Sequence, residues 1–451
     1  MSEALFGPIF VPEEFRETVG GRAWLRGMLD AEAALAVAQA RVGLIPERAA
    51  RTIGECCDVN RFDPEEIGRG GRAAGNPVVP LVKALTAAVS DVSKDAARYV
   101  HKGATSQDIM DTAAMLVSRR ALDLILVDLD LLAASCARLA DGQRETAMAG
   151  RTLLQQALPT TFGLKAAGWL VGVLEARRSL LEARRWHIAA QLGGAAGTLA
   201  SLGPDGPQVL EEFARELGLA EPVAPWHTDR LRVAGLGGNL ALVAGAVQKI
   251  SLDIILMAQT EVGEVSEPSD GGRGGSSTLP HKRNPILSIL AVACARRVPA
   301  LAQTLHASMA GEHERAAGAW HAEWETLSDA LALTGGAVAA TREATGGLQV
   351  HPGRMRENLD ATGGLILAER VTTLAAEKLG RMEAHEAVES AARRTSERGT
   401  SLREELLAEP VLREALSPEE VDAALDPAGY LGSAGAFVDR ALDMYRKEVA
   451  V

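Results

Sequence analysis

Apolar residues begin to recur at spacings of three and four near Arg22, where Trp24, Leu25, Met28 and Leu29 are followed by Ala33, Leu35 and Ala36; this predicts an amphipathic helix. Gly68, Gly70, Gly71 and Gly75 with Pro77 and Pro80 predict a loop before Leu81, and a second loop at Lys102 to Gln107 closes the first region. From Asp108 to about Ala147 there is no proline and no glycine before Gly142. Leu116, Ile125, Leu129, Leu132 and Leu139 recur through it, which predicts one very long helix. Four more long helices are predicted at Thr161 to Gln191, Leu231 to Val265, Pro285 to Met309 and Ala322 to Thr345. Five long helices predict a bundle.

Several of these helices are Ala- and Gly-rich over most of their circumference, as in Leu236 to Ala246, and such a helix must be buried on more than one side. Self-association through them is expected, the alternative being a monomer whose central helix is surrounded by its own neighbours. After His351 shorter helices return, with breaks at Pro410, Pro418 and Pro427. The expected division is therefore 1–105, an N-terminal helical domain; 106–348, the long-helix bundle carrying the loop at 271–285; and 349–451, a smaller helical domain. Aromatic residues are only 4% of the 451, and segments rich in Ala, Leu, Glu and Arg favour helix over sheet, so the fold class is all-α.

Charge narrows the possible partners. Lys and Arg number 47 against 59 Asp and Glu, a net −12, which excludes a general nucleic-acid binder and requires any cationic site to be local. Cys56, Cys57, Cys136 and Cys294 form no CxxC pair and no zinc-like spacing with histidine, so neither a disulfide scaffold nor a metal site is expected. The N-terminal stretch lacks a basic segment followed by an apolar one. The longest window without Lys, Arg, Asp or Glu, Trp186 to Pro204, contains His187, Gln191 and four glycines. A cytoplasmic location without a membrane span is expected.

The stretch Gly271 to Pro285, GGRGGSSTLPHKRNP, combines glycines, paired serines and the cations Arg273, Lys282 and Arg283 just ahead of a helix. Glycines allow backbone amides to converge as an anion-binding nest, and Pro285 suits the first turn of the helix that follows. A solvated Gly/Ser linker is the plainer alternative, but such linkers rarely contain Pro-His-Lys-Arg-Asn-Pro.

GSSTLPHKRNP, Gly275 to Pro285, resembles the signature loop of the fumarase/aspartase superfamily, G-S-S-x-M-P-x-K-x-N-P, with Leu279 in place of Met. Two more blocks of that superfamily occur in order: HKGATSQDIMDT, His101 to Thr112, and GRTLLQQALPTT, Gly150 to Thr161. TEVGEVSEP, Thr260 to Pro268, leads into the signature as in the adenylosuccinate-lyase branch. The resemblance covers essentially the whole chain. It implies a three-domain helical fold, a homotetramer around the long central helices, active sites each built by three subunits, and no cofactor.

The chemistry implied is removal or return of a proton beside a carboxylate, through an aci-carboxylate that demands preorganised donors and cations. By motif position, Ser276 matches the catalytic serine, with Ser277 beside it, and Lys282 and Asn284 match carboxylate binders. Thr105, Ser106 and Gln107 match a second carboxylate-binding turn and Thr152 a third contact, although Thr105 to Gln107 can also simply cap the helix that follows. His281 is expected to contact substrate or to brace the loop.

Departures from the lyases carry more information than the matches. Where the lyases have Thr-His, the His acting on the leaving group, this chain has Thr152-Leu153; where they have the Ser-Glu pair whose carboxylate orients that His, it has Ser288-Ile289. A first-domain His-Asp of the adenylosuccinate lyases is replaced by Asn76-Pro77. Loss of both acid and partner suits a leaving group that is already an anion, and one branch has such a group: the 3-carboxy-cis,cis-muconate cycloisomerases, which close a tricarboxylate to 4-carboxymuconolactone. YVHKGATSQDIMDT, PWHTDR at Pro225 to Arg230, EHERAAGAWHAEWETL at Glu312 to Leu327 and DPAGYLG at Asp426 to Gly432 resemble its blocks.

The expected substrate is a small tricarboxylate, without nucleic-acid or membrane partners. A C–N or C–O lyase of adenylosuccinate type and a non-catalytic helical scaffold are the alternatives. His313, Arg315, Trp320 and His321 either line the pocket, Arg315 as a substrate contact, or pack between subunits. Trp226, His227 and Arg230 either bind a carboxylate or close a turn. Met110, Met115 and Leu116 are expected in the core.

Overall fold

The computed structural model describes residues 5–269, 274–275, 278–279 and 281–449. All five long helices are present, as Ser106–Gly142, Phe162–His187, Leu231–Met257, Ile286–Ala307 and Ala319–Gly346. Contacts divide the chain into two compact units. The first comprises Met1–Asp130, Ala176–Gln248 and Leu290–Ala340, and the second Leu131–Glu175, Lys249–Ile289 and Thr341–Val451.

In the first unit the helix Gly21–Arg41 buries Leu25, Met28, Leu29 and Leu35. The glycine-rich stretch expected to be a loop is instead helical, as Pro64–Ala74 and Val78–Val92. Asp63 accepts a hydrogen bond from Glu65 N, Pro64 opens the helix, and Gly75 ends it at φ 73°. Pro80 lies in the first turn of the next helix, where no intrahelical N–H is needed. Gly71 serves packing, since a Cβ there would meet Asn76 O at 3.0 Å. Met110, Met115 and Leu116 are buried, as expected.

The second unit holds what the periodicity did not predict. Beyond Gly142 the chain forms a hairpin of β1 (Ala147–Thr152) with β2 (Gln155–Thr161), and Val265–Ser266 pairs with Gln349–Val350. These are the two sheets among the described residues. The helix expected to reach Val265 stops at Met257 because the chain turns just beyond it, where Val262 N and Gly263 N both donate to Gln259 O. The C-terminal helices pack around Val371, Val388, Leu402, Leu406 and Val421, and two begin with capping boxes, Ser401 with Glu404 and Ser417 with Glu420.

Leu231–Met257 and Ile286–Ala307 are long and apolar enough to cross a membrane, and 50% and 44% of their most apolar windows are buried within the protein. Charges bound the apolar stretch of each: in the first it runs from Val233 to Gln248, between Arg232 and Lys249, and in the second Arg296 and Arg297 interrupt it. A helix in the core of a bundle meets the same criteria of length and composition.

Candidate active site

The first unit builds a buried frame beneath the Thr105–Gln107 turn. Asp108, fully buried, accepts from Thr105 N, Gly193 N and Gly194 N, each at 2.9 Å, and its Oδ1 lies 2.7 Å from His227 Nε2. One carboxylate thus ties the start of the long helix to two other segments, and its position three residues after Thr105 also places a negative charge in the first helical turn. Gln107 is buried as well: its Nε2 donates to His227 O at 2.8 Å and Asp111 Oδ2 at 3.1 Å. Thr105 and Ser106 remain half-buried.

Asp111 is a second anchor. Arg230 donates to both its oxygens, at 2.8 and 3.0 Å, and also to Glu323, while Trp320 Nε1 donates to Asp111 Oδ1 at 2.9 Å. Burial alone would lower the pKa of Arg230, but Asp111 and Glu323 carry it above the ordinary arginine value, so the guanidinium stays charged. Its Cζ also lies 4.9 Å from the centre of the Trp226 ring. His227 and Arg230 therefore do bind carboxylates, but those of the protein itself. Arg315 is half-buried, donating to Gly194 O at 3.0 Å, to Ala195 O at 3.1 Å and to Gln107 Oε1 at 3.5 Å. His313 O accepts from Thr228 Oγ1.

The second unit holds the other motif blocks. Ser276 and Ser277, with Arg273 and Pro280, lie outside the described residues. On either side of them Gly275 bridges Arg283, and Gly274 O accepts from Asn284 N at 2.9 Å and from Asn284 Nδ2 at 3.2 Å. Gly274 has φ 74°, and a Cβ there would fall 2.5 Å from Asn284 O, so this loop closure requires glycine. Lys282 and His281 are exposed. The helix after the loop is capped from a distance: Glu267 accepts from Leu287 N, Ser288 N and Ser288 Oγ at 2.9, 2.8 and 2.6 Å. Ser288 is buried and Ile289 exposed.

Thr152 and Leu153 stand at the tip of the β1–β2 hairpin. Leu153 and Leu154 form its two-residue loop at φ 49° and 67°, the left-handed geometry of a type I′ turn, and they are 97% and 79% exposed. One residue before the tip, Arg151 makes paired hydrogen bonds of 2.9 and 2.8 Å to the buried Glu264, which also accepts from Asn358 Nδ2 at 2.9 Å. Sequence reasoning missed Asp108, Asp111, Glu264, Glu267 and Glu323 as site-forming residues. Of these, Asp108 alone had a local signal, the T-x-x-D spacing of a helix start.

A family model described as lyase matches residues 13–300, and one described as adenylosuccinate lyase C-terminus matches 364–441. The chain belongs to the fumarase/aspartase superfamily. Among similar members of that superfamily is the 3-carboxy-cis,cis-muconate cycloisomerase of Bradyrhizobium diazoefficiens, 46% identical over 98% of both chains. The nitrosuccinate lyase of Streptomyces davaonensis is 47% identical over 98% of this chain and 95% of that one. The crystal structure of the 3-carboxy-cis,cis-muconate lactonizing enzyme from Pseudomonas putida matches with a TM-score of 0.94 and 44% identity, over 98% of this chain and 99% of that one. The superfamily's all-α architecture is the one seen here.

Proposed function

We propose that the protein is a 3-carboxy-cis,cis-muconate cycloisomerase of aromatic catabolism. The observation that carries this reading is the hairpin tip: two apolar, exposed leucines stand where the lyases present a general acid. In the lactonising direction a substrate carboxylate adds to a diene carbon, forming the C–O bond, while the π pair moves onto the neighbouring carboxylate as an aci-carboxylate. Ser276 then delivers a proton to the adjacent carbon, completing addition of O and H across the double bond. In reverse, the carboxylate departs as a stable anion and needs no acid. Lys282 and Asn284 with Thr105, Ser106 and Thr152 bind the substrate carboxylates, and no cofactor takes part.

The active assembly in this reading is a homotetramer whose sites draw on three subunits. Support comes from apolar residues left exposed on the long helices, among them Val127, Leu131, Leu231, Leu242 and Leu252. The three-part division at 105 and 348 belongs to the same reading.

A second reading has its own observation, the 47% identity to a nitrosuccinate lyase. Elimination from nitrosuccinate would expel nitrite, another anion that leaves without protonation, so the leucine tip suits both. The deciding experiment offers the purified protein each substrate in turn. Loss of the diene absorbance of 3-carboxymuconate supports the cycloisomerase; release of nitrite and fumarate from nitrosuccinate, with carboxymuconate untouched, overturns it.

A further inference from the structure

The block Gly150 to Thr161 carries two residues that the proposed chemistry leaves unused, Gly150 and Arg151. Ala149 pairs with Pro159 and Arg151 with Gln156, so Ala157 and Leu158 stand together opposite Gly150 in a β-bulge. A Cβ on Gly150 would fall 2.8 Å from Leu158 O, which keeps the position small. Such bulges re-aim the strand beyond them. Beyond this one the Leu153–Leu154 loop has positive φ without the Asn or Gly that ordinarily fixes a two-residue turn, so the outer half of the hairpin has to be held by other contacts.

Those contacts form a closed set. Arg151 donates to both oxygens of Glu264, whose side chain has no exposed surface. Gln156, the cross-strand partner of Arg151, donates through Nε2 to Asn358 O at 2.9 Å, and Asn358 Nδ2 donates to Glu264 Oε1 and to Val262 O. Glu264 is itself fixed by its main chain: its N–H donates to Met257 O and its carbonyl accepts from His351 N, both at 2.9 Å. A buried ion pair is often no more stabilising than apolar residues of similar volume, so stability alone is a weak reason for this one. What the pair fixes is a direction. Successive side chains of a strand point to opposite faces, so with Arg151 seated on Glu264 the exposed Thr152 faces away from it. A slip of one residue would turn Thr152 inward.

We propose that Glu264 is a positioning residue, acting through Arg151 to set the direction in which the hairpin tip presents Thr152 to a substrate carboxylate. Glu267, three residues further along the same segment, supplies the comparison. It holds the start of the helix after the signature loop, and none of its hydrogen bonds among the described residues reaches the hairpin. The inference rests on the role proposed above for Thr152, but not on which of the two anionic leaving groups the enzyme expels.

The test is a double-mutant cycle in the full chain, with kcat/KM measured on whichever of 3-carboxymuconate and nitrosuccinate the wild type turns over, and with fold checked by circular dichroism. Glu264→Gln and Arg151→Lys each break the paired hydrogen bonds and should lower kcat/KM on the order of ten- to a hundredfold. In a Thr152→Ala background the same substitutions should cost less than about twofold, because the contact they aim is already gone, whereas Glu267→Gln should cost the same in both backgrounds. Equal losses from Glu264→Gln in the two backgrounds, expected of a group that only stabilises the fold, overturn the proposal. So does wild-type kcat/KM in folded Glu264→Gln and Arg151→Lys, or in Thr152→Ala. If Glu264→Gln does not fold, Arg151→Lys, which keeps a cation beside Glu264, decides. Backbone hydrogen exchange across 147–161 reads the tether without any substrate: it should quicken in Glu264→Gln and not in Glu267→Gln, and exchange unchanged in Glu264→Gln overturns the proposal. Turnover of nitrosuccinate alone refutes the cycloisomerase reading and leaves the cycle, run on that substrate, to decide on Glu264. Equal losses in an enzyme active on carboxymuconate remove Glu264 and leave the cycloisomerase reading in place.

Discussion

Replacing Arg230 by Met should destabilise the first unit more than any other single side-chain change near the Thr105 turn. Arg230, Asp111 and Glu323 keep only 2–3% of their side-chain surfaces, so the substitution leaves two carboxylates buried beside each other with no cation. Breaking a buried pair by removing one partner costs about 3–5 kcal/mol, and here two partners are stranded, so the upper end applies. Against a total stability of about 5–15 kcal/mol, that is a large fraction. Removing all three charges in Asp111→Asn, Arg230→Met, Glu323→Gln should recover much of the loss, because the penalty arises from uncompensated charge. Urea unfolding followed by tryptophan fluorescence measures it directly, since Trp226 and Trp320 both contact the cluster. A single variant within about 1 kcal/mol of wild type, or a triple variant no more stable than the single one, would refute the reasoning. The triple variant should still bind substrate poorly, because Asp111→Asn weakens the hold on Gln107 Nε2.

Three further outcomes are expected. Lys282→Met should raise KM for carboxymuconate at least about tenfold or abolish turnover, and steady-state kinetics near wild type would take Lys282 out of the site. Replacing the hairpin loop by Leu153→Asn with Leu154→Gly should stabilise the second unit by about 1 kcal/mol in urea unfolding, because left-handed strain is relieved and no buried surface is lost. His101 Nδ1 lies 2.6 Å from Glu32 Oε1, and this pair should give pH-dependent stability of a definite sign. Its folded pKa is raised, so its contribution is complete below the ordinary histidine value and fades as pH rises through the raised one. The groups that set it are Glu32 and Asp108, and the urea midpoint of wild type minus that of Glu32→Gln should fall over that range.

The long helices were legible because each keeps its apolar period over many turns, and errors at their ends, such as Val265 for Met257, came where turns rather than composition stop the helix. The glycine run at 68–75 misled because packing against Asn76 and the cap at Asp63 outweigh the low helix propensity of glycine. The hairpin escaped for a different reason. Its loop is Leu-Leu, not Asn-Gly, so the turn chemistry that marks a hairpin is absent. The motif blocks marked the residues proposed to face a ligand, whereas the carboxylates that brace the Thr105 turn gave little sign. Asp111 and Glu323 stand far apart in the chain and meet only through Arg230, a relation that no local pattern encodes.

That hidden layer bears on how a protein of net charge −12 can bind a tricarboxylate. Arginines alone do not provide the answer in the first unit, since Arg230 neutralises two of the protein's own carboxylates and Arg315 braces the Gly194–Ala195 and Gln107 oxygens. Their work is to brace, through Asp111 and Gln107, the turn that carries Thr105 and Ser106. In the proposed reading, positive charge for the ligand comes from exposed cations such as Lys282 on the signature loop. Such a division favours selectivity. Fixed arginines set the geometry before the ligand arrives, so a carboxylate needs little reorganisation on binding, while the few open cations are matched to the few carboxylates of a small substrate. In the proposed reading the leucine tip fits the same logic: an apolar surface offers a departing anion no proton, and the carboxylate or nitrite leaves on its own stability.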